Sequence, residues 1–443
     1  MPDNDSRDDT ALSRRRLLRA GGAGLTGAAI AMASRGAAAQ GGPPGPAVPA
    51  DTGAVQGGRV VFPNWRGEGD RPPPPPPAPL PPGKRVGICV VGLGRLSLEE
   101  ILPALGQSKR ARLAAVMSGS PEKARLVAAQ HGLPEDAVYG YGDWERLKSD
   151  GRVRAVYVVT PNALHHRDVL AAAKAGKHVL CEKPMAVSSA EAREMVAACR
   201  EAGVKLMIAY RCQYEPYNRA LAGLVRSGTM GKARFVQAVN GQTSGLPEQW
   251  RLRKALAGGG ALPDIGLYCL NGIRALTGEE PVSVQAHVTS PEGDPKFREV
   301  EESVTFSLRF PSGLVAQCLT SYGIHEARRM SVHTPAADIV LENAFAYEGQ
   351  RLYVRHRDGK AVSSDERVLG AKNQFALEID HFARCVIEDI RPRTPGEEGL
   401  QDQVLMEAIY EAARTGQPVE VGPPQGLGRG LDVTRGPEPE EAA

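Results

Sequence analysis

The chain has 443 residues, 42% of them hydrophobic and 24% charged, with a formal net charge of +3. That length holds a leader and two domains of ordinary size, and a nearly neutral body without a basic block argues against nucleic acid as a partner. Seven dispersed cysteines include no C-x-x-C pair, so neither a zinc site nor a redox dithiol is indicated, and the thiols read as buried.

Residues 1–39 read as a targeting segment. Ser13-Arg14-Arg15, followed by Arg16, Leu17 and Leu18, precedes the soft apolar run AGGAGLTGAAIAMA, and RGAAAQ places Ala37 and Ala39 at small-x-small spacing. The run is too short to span a bilayer permanently, so no stable membrane association is expected. The arrangement resembles a twin-arginine signal, which implies transient use of the twin-arginine export machinery and delivery of a folded protein to the periplasm. Residues 40–83 are rich in glycine and proline and end in RPPPPPPAPLPP, an extended polyproline segment. This arm is either a spacer or a strap over a cofactor or a neighbouring subunit, with Phe62 and Trp65 as anchors.

From residue 84 to 210, apolar strands alternate with helical patterns. RVGICVVGLG, ARLAAVMSG, RAVYVVTP, HVLCEKP and VKLMIAYR read as strands. PEKARLVAAQHG, HHRDVLAAAKAG and SAEAREMVAACREAG read as helices, the last with Ser189 as its cap. This is the pattern of a doubly wound, Rossmann-type α/β dinucleotide domain. Residues 211–421 change character. A helix over 215–227 is followed by short strand-like runs and by helices near 260–276, 371–388 and 397–414. They predict an α+β domain with an open, largely antiparallel sheet covered on one face by those helices. Such a sheet, together with the arm, suits a homodimer or homotetramer. Residues 422–443 read as a disordered tail.

The nucleotide site is expected at the first strand's end. Gly92, Leu93 and Gly94 form a G-x-G turn from which backbone amides reach a pyrophosphate, with Arg95 beside it and Ser97 at the position where a third glycine is usual. At the second strand's tip an NAD site needs a carboxylate for the ribose 2′-hydroxyl, yet the chain reads MSGSPEK. Ser118 and Lys123, aided by Arg95 or Arg125, suit a 2′-phosphate instead, which favours NADP; otherwise Ser118 caps a helix and Lys123 faces water. Thr160, Pro161, Asn162 and His165 lie where the nicotinamide ribose passes, or else form a capping turn.

Glu182 and Lys183 follow the HVL strand at the carboxyl edge of the sheet, where ligands of this architecture bind. Pro184 restricts the backbone of Lys183 to extended conformations, which fixes where its ammonium points. An ammonium so placed can bond a reacting hydroxyl and orient a partner. Asp264 and Tyr268, four apart on one helix face, supply a carboxylate and a phenol suited to carrying a proton between alcohol and carbonyl.

GxG, TPN-x-x-H, EKP and D-x-G-x-(H/Y) together resemble the glucose–fructose oxidoreductase / inositol dehydrogenase (Gfo/Idh/MocA) family over residues 84–420. MSGSPEKA, EKPMA, AYRCQYEPYNR, QWRLRKALAGGG, DIG-x-Y and TPGEEG-x-QD resemble the family's glucose–fructose oxidoreductase branch most. The resemblance implies that Lys183 orients the substrate hydroxyl, Asp264 binds the sugar or Lys183, and Tyr268 is the general acid/base, where most of the family has histidine. It implies cofactor or sugar contacts from Tyr210, Arg211, Trp250 and Arg251, and a sugar contact from Tyr322. The stretch after NGQTSG (240–245) departs from the branch and leaves the sugar open. The implied activity is that of an oxidoreductase with tightly bound, non-dissociable NADP. It would oxidise a cyclic aldose at C1 to the aldonolactone and reduce a ketose such as fructose, or a second aldose, to the polyol. An NAD(P)-exchanging dehydrogenase of the same family, acting on an aldose, polyol or glycoside, and a non-catalytic sugar or dinucleotide sensor are the competing readings.

Overall fold

The computed structural model describes residues 54–61 and 78–424. The leader, Phe62, Trp65, the six-proline run and the tail beyond 424 lie outside the described residues. A short hairpin, β1 (Ala54–Gln56) and β2 (Arg59–Val61), turns at Gly57 and Gly58, both at positive φ. It belongs to a separate unit, residues 1–72.

In the main unit the first sheet comprises β3 (Val86–Val91), β4 (Ala111–Met117), β5 (Val138–Tyr139), β6 (Ala155–Val158), β7 (His178–Glu182) and β8 (Leu206–Ala209). All pair in parallel in the order β5-β4-β3-β6-β7-β8. Helices cover both faces, which is why VGICVV of β3 is apolar without alternation and buried throughout. The chain order reverses between β3 and β6, and the crevice at that switch point is where a dinucleotide binds in such a sheet.

The second sheet has nine strands: β9 (Phe235–Thr243), β10 (Ser283–Thr289), β11 (Ser303–Arg309), β12 (Val315–Ser321), β13 (Gly323–His333), β14 (Ala337–Glu342), β15 (Arg351–Asp358), β16 (Ala361–Arg367) and β17 (Val419–Glu420). Their order is β16-β15-β14-β13-β9-β12-β11-β10-β17. β9 and β12 run parallel, and every other neighbouring pair is antiparallel. Alternation is clean here: Val304, Phe306 and Leu308 of β11 and Ala316 and Cys318 of β12 face the helix Leu267–Thr277. The opposite face is polar and carries Gln237, His287, Thr305, Ser307, Gln317 and Arg329.

Two expectations need correction. The helix Gln374–Glu388 does not cover the second sheet. Its stripe Phe375, Ile379, Phe382, Ala383 and Val386 packs on Val86, Ile88 and Val90 of β3, beside Ile101, Leu102 and Leu105 and the helix residues Ala124 and Val127 that cover the same face of the first sheet. The helix Ser189–Glu201 is capped by Ser188, whose side chain accepts from the Glu191 amide. Ser189 instead donates its hydroxyl to Glu407 at 2.7 Å. All seven cysteines are free and buried, as the sequence suggests.

The helix Gly396–Thr415 is wedged between β10 and the helix Ser189–Glu201. Against it lies a buried charge cluster. Arg274, with no exposed side chain, reaches Asp402 at 2.5 Å, Glu280 at 2.8 Å and Glu398 at 3.2 Å, and Asn271 donates to both Glu398 and Asp402. Removing one partner of such a cluster leaves uncompensated buried charge, which costs about 3–5 kcal/mol. Arg274→Met should therefore lower unfolding stability by about that amount, read as a drop in urea midpoint at unchanged slope.

Candidate active site

Gly92 follows β3 with φ of 98°, and a Cβ there would lie 2.9 Å from the Val159 carbonyl oxygen, so only glycine fits. A Cβ on Gly94 would meet nothing within 4 Å. Ser97 donates its hydroxyl to the Gly92 carbonyl at 2.5 Å from a buried position. The residue in place of the third glycine thus locks the turn. The helix that follows opens with a π turn over Ser97–Ile101 before Leu102–Gln107, beside Pro103, which lacks the N–H of a regular ladder. Leu93 is buried beneath the turn. Arg95 does not bend inward: it is largely exposed and paired with Glu99 at 3.2 Å.

No carboxylate stands at the tip of β4. Ser118 is buried and its hydroxyl accepts from the Ser120 amide at 3.2 Å. Ser120, not Ser118, caps the helix Pro121–Gln130. Lys123 in the first turn is exposed, so hydroxyls, a helix start and one free-standing ammonium line this end of the crevice. Arg125 is exposed and lies 3.7 Å from Glu135.

The TPN turn is structural to a greater degree than its sequence suggests. Thr160 donates to buried Asp168 at 2.9 Å, and Asn162 donates to the Ala257 carbonyl at 2.9 Å. His165 is fully buried, with one ring nitrogen 2.7 Å from the Thr160 carbonyl and the other 2.9 Å from that of Pro184. It clamps the TPN turn to the EKP turn and is not a cofactor contact. Pro161, half-buried, begins the helix Asn162–Lys174. Glu182 is likewise turned inward: the Tyr157 hydroxyl donates to it at 2.8 Å, and burial raises its pKa.

Lys183 is where the two domains meet. The Lys183–Pro184 peptide is cis. The Lys183 ammonium donates to the Asp264 carbonyl oxygen at 2.8 Å, sits 3.4 Å from its carboxylate, and lies 4.6 Å from the centre of the Tyr268 ring. Asp264 occupies a π turn, Leu262–Gly266, that opens the helix carrying Tyr268. Its other carboxylate oxygen accepts from Tyr322 at 2.6 Å and meets Arg251 at 3.3 Å. Burial alone would raise the pKa of Asp264, but Lys183, Arg251 and Tyr322 outweigh it and hold the carboxyl below the usual aspartate range. Burial pushes the Tyr268 phenol well up, with Arg211 opposing.

Five residues expected at the cofactor or sugar change role here. Arg251 grips Asp264 and stacks on Trp250, 4.7 Å from its ring centre, which accounts for both residues without a cofactor contact. Arg211 is buried, and its Nε donates to the Tyr268 hydroxyl at 3.2 Å. Tyr322, 2% exposed, positions Asp264. Tyr210 is buried beside Asp402 and Arg274, so its phenol faces the charge cluster and not a sugar.

Sequence reasoning missed two supports. Glu301 accepts from the Gly260 and Leu262 amides at 2.8 and 3.0 Å and from Tyr410 at 2.9 Å, fixing the triple-glycine turn ahead of Asp264. A Cβ on Gly260 would lie 2.0 Å from the Glu301 carbonyl oxygen, which explains that glycine. Tyr347, half exposed in the cleft, stacks on Arg211 at 4.6 Å and edge-on against Phe375 at 5.3 Å. Neither carries a sequence signal beyond its residue type.

Comparison with known proteins agrees with this architecture. Residues 86–210 match the model of the oxidoreductase family with an NAD-binding Rossmann fold, and residues 218–340 match the GFO/IDH/MocA C-terminal domain. The protein is thus an oxidoreductase with an NAD(P)-binding Rossmann domain. The chain is 34% identical over 338 residues to D-xylose 1-dehydrogenase [NADP(+)] of Haloarcula marismortui, covering 74% of this chain and 91% of that protein. A 1,5-anhydro-D-fructose reductase of Ensifer adhaerens is 32% identical over 62% of this chain and 82% of its own length. The crystal structure of an aldose-aldose oxidoreductase from Caulobacter crescentus, complexed with glycerol, superposes with a TM-score of 0.73 at 42% identity. It covers 76% of this chain and all of that one. The chain belongs to the Gfo/Idh/MocA oxidoreductase family.

Because its pKa is depressed, the Asp264 charge contributes stability that is complete above the ordinary aspartate value of about 4 and is lost as pH falls through the lower folded value. Tyr322→Phe removes one of its hydrogen bonds, worth about 1.5–3 kcal/mol to a charged group. The variant should begin acid unfolding at a higher pH than the parent, followed by circular dichroism.

Proposed function

We propose that this protein is an NADP-dependent sugar oxidoreductase that keeps its cofactor and runs two coupled half-reactions, oxidising a cyclic aldose at C1 to the aldonolactone and reducing a second sugar to its polyol. The observation that carries this is the joint placement of the Lys183 ammonium, the Asp264 carboxylate and the Tyr268 phenol at the carboxyl edge of β7, downstream of the G-x-G turn. When bound, a nicotinamide would supply a hydride acceptor in one half and a hydride donor in the other. Lys183 bonds the reacting oxygen, which favours the alkoxide-like charge that grows on it. Tyr268 takes the hydroxyl proton in the oxidative half and returns it in the reductive half. Asp264, held by three partners, keeps Lys183 directed at that oxygen.

The cofactor and donor assignments draw on different observations. Ser118, Ser120 and Lys123, with no carboxylate at the tip of β4, favour a 2′-phosphate over a free ribose hydroxyl. The NADP-linked xylose dehydrogenase and the aldose-aldose oxidoreductase favour aldoses as donors. The leader favours export to the periplasm through the twin-arginine route, and a compartment without a free nicotinamide pool favours a retained cofactor. The polar face of the second sheet is the surface we assign to pairing with a second copy.

Protein purified without added nucleotide should carry NADP through gel filtration. An aldose alone should generate the reduced-nicotinamide absorbance band, and a ketose or second aldose should then bleach it. A protein that elutes free of nucleotide and turns over only with added NADP is instead a conventional exchanging dehydrogenase. Lys183→Met should retain the nucleotide and lose the aldose-driven reduction by about 10²-fold or more, the scale of removing one charge-stabilising donor.

A further inference from the structure

Arg211 is buried to 4% exposure, and its guanidinium has four neutral acceptors: the Phe345 carbonyl at 2.7 Å, the Ala346 carbonyl at 3.3 Å, the Gln374 side chain at 2.6 Å and the Tyr268 hydroxyl at 3.2 Å. Among the described residues no carboxylate lies within ion-pair distance of it. Glu100, Glu182, Glu215 and Glu378 face this region from four different segments without reaching the guanidinium, and burial raises the pKa of each. A buried cation without a counter-anion is costly. Two titratable groups are in polar contact with the guanidinium. One is Cys212, 3.6 Å from the guanidinium, whose thiol burial pushes up to about 11. The other is Tyr268, which also meets Lys183 across its ring and has Tyr347 on the cleft side.

We infer that Arg211 is a positioning residue that fixes the Tyr268 oxygen and stabilises its phenolate, so that the same phenol can accept a proton in one half-reaction and give it back in the other. This rests on the proposed role of Tyr268 as proton carrier. In oxidation the substrate O–H bond breaks, its proton joins the phenolate and the C1 hydride goes to the nicotinamide. In reduction the hydride returns to a carbonyl carbon and the phenol proton to its oxygen. No proton needs to leave the site over a full cycle, provided the phenolate left at its end is held. Lys183 is committed to Asp264 and the reacting oxygen, which leaves Arg211 to hold it. The four neutral acceptors keep the guanidinium in place in both states, and the aromatic rings of Tyr347 and Phe375 pack 4.6 and 5.7 Å from it.

The test is the pH dependence of single-turnover reduction of the bound nucleotide by aldose, in the parent, Arg211→Met, Arg211→Lys, Cys212→Ser and Tyr268→Phe. The rising limb of Arg211→Met should move to higher pH by about one unit or more, a tenfold loss at pH below the limb. Arg211→Lys should lie between it and the parent, and Cys212→Ser should keep the parent's limb. An unmoved limb with a uniformly lower rate in both Arg211 variants overturns the inference. Should Arg211→Met fail to fold, judged by melting and nucleotide retention, the limb of Arg211→Lys decides alone. A Tyr268→Phe variant that keeps the parent's rate overturns the proton-carrier reading itself. An inactive Tyr268→Phe with unmoved Arg211 limbs overturns only the role given to Arg211.

Discussion

The contact between Lys183 and Asp264 is the constraint on which the site depends. Lys183 belongs to the nucleotide sheet, whereas Asp264, Arg251, Tyr268 and Tyr322 belong to the second domain. One carboxylate gathers an ammonium, a guanidinium and a phenol, and through them it sets the distance between the crevice and the proton carrier. Its partners outweigh the cost of burying it, and so the charge persists where an isolated aspartate would neutralise.

That support is itself polar and buried. Glu301 grips the glycine turn before Asp264, and Arg274 ties the helix of Tyr268 to the helix Gly396–Thr415. Each such group is costly to bury and useful only with all its partners present. The fold therefore tolerates few alternative packings around the site, and the π turns at Ser97 and Leu262 set the directions of the helices that face the crevice.

What the sequence made legible follows from range. The parallel strands, the G-x-G turn, the missing acid after β4, the EKP step and the Asp264–Tyr268 spacing are all local patterns, and the fold they imply is the fold observed. Roles that depend on distant partners were not legible. Arg211 and Arg251 read as cofactor or sugar contacts because the AYR and QWRLR segments resemble the family's. Their actual partners are Tyr268 and Asp264, 57 and 13 positions along the chain. Tyr210 and Glu182 likewise look outward in the sequence but point into buried networks. His165 shows the same limit: its spacing from Thr160 suggests a ligand contact, while packing uses it as a clamp.

The helix Gln374–Glu388 has a further consequence for how this chain comes to exist. It lies far from the nucleotide strands in sequence, yet it supplies one of the layers that bury Val86, Ile88 and Val90. The nucleotide domain is therefore not closed by its own contiguous segment. During synthesis the part of that face under this helix stays uncovered until residues 374–388 have emerged, and a product ending before residue 374 would display that strip to other chains. Completion of that helix thus acts as a check on the nucleotide domain: only a chain that carries it seals this face of the sheet.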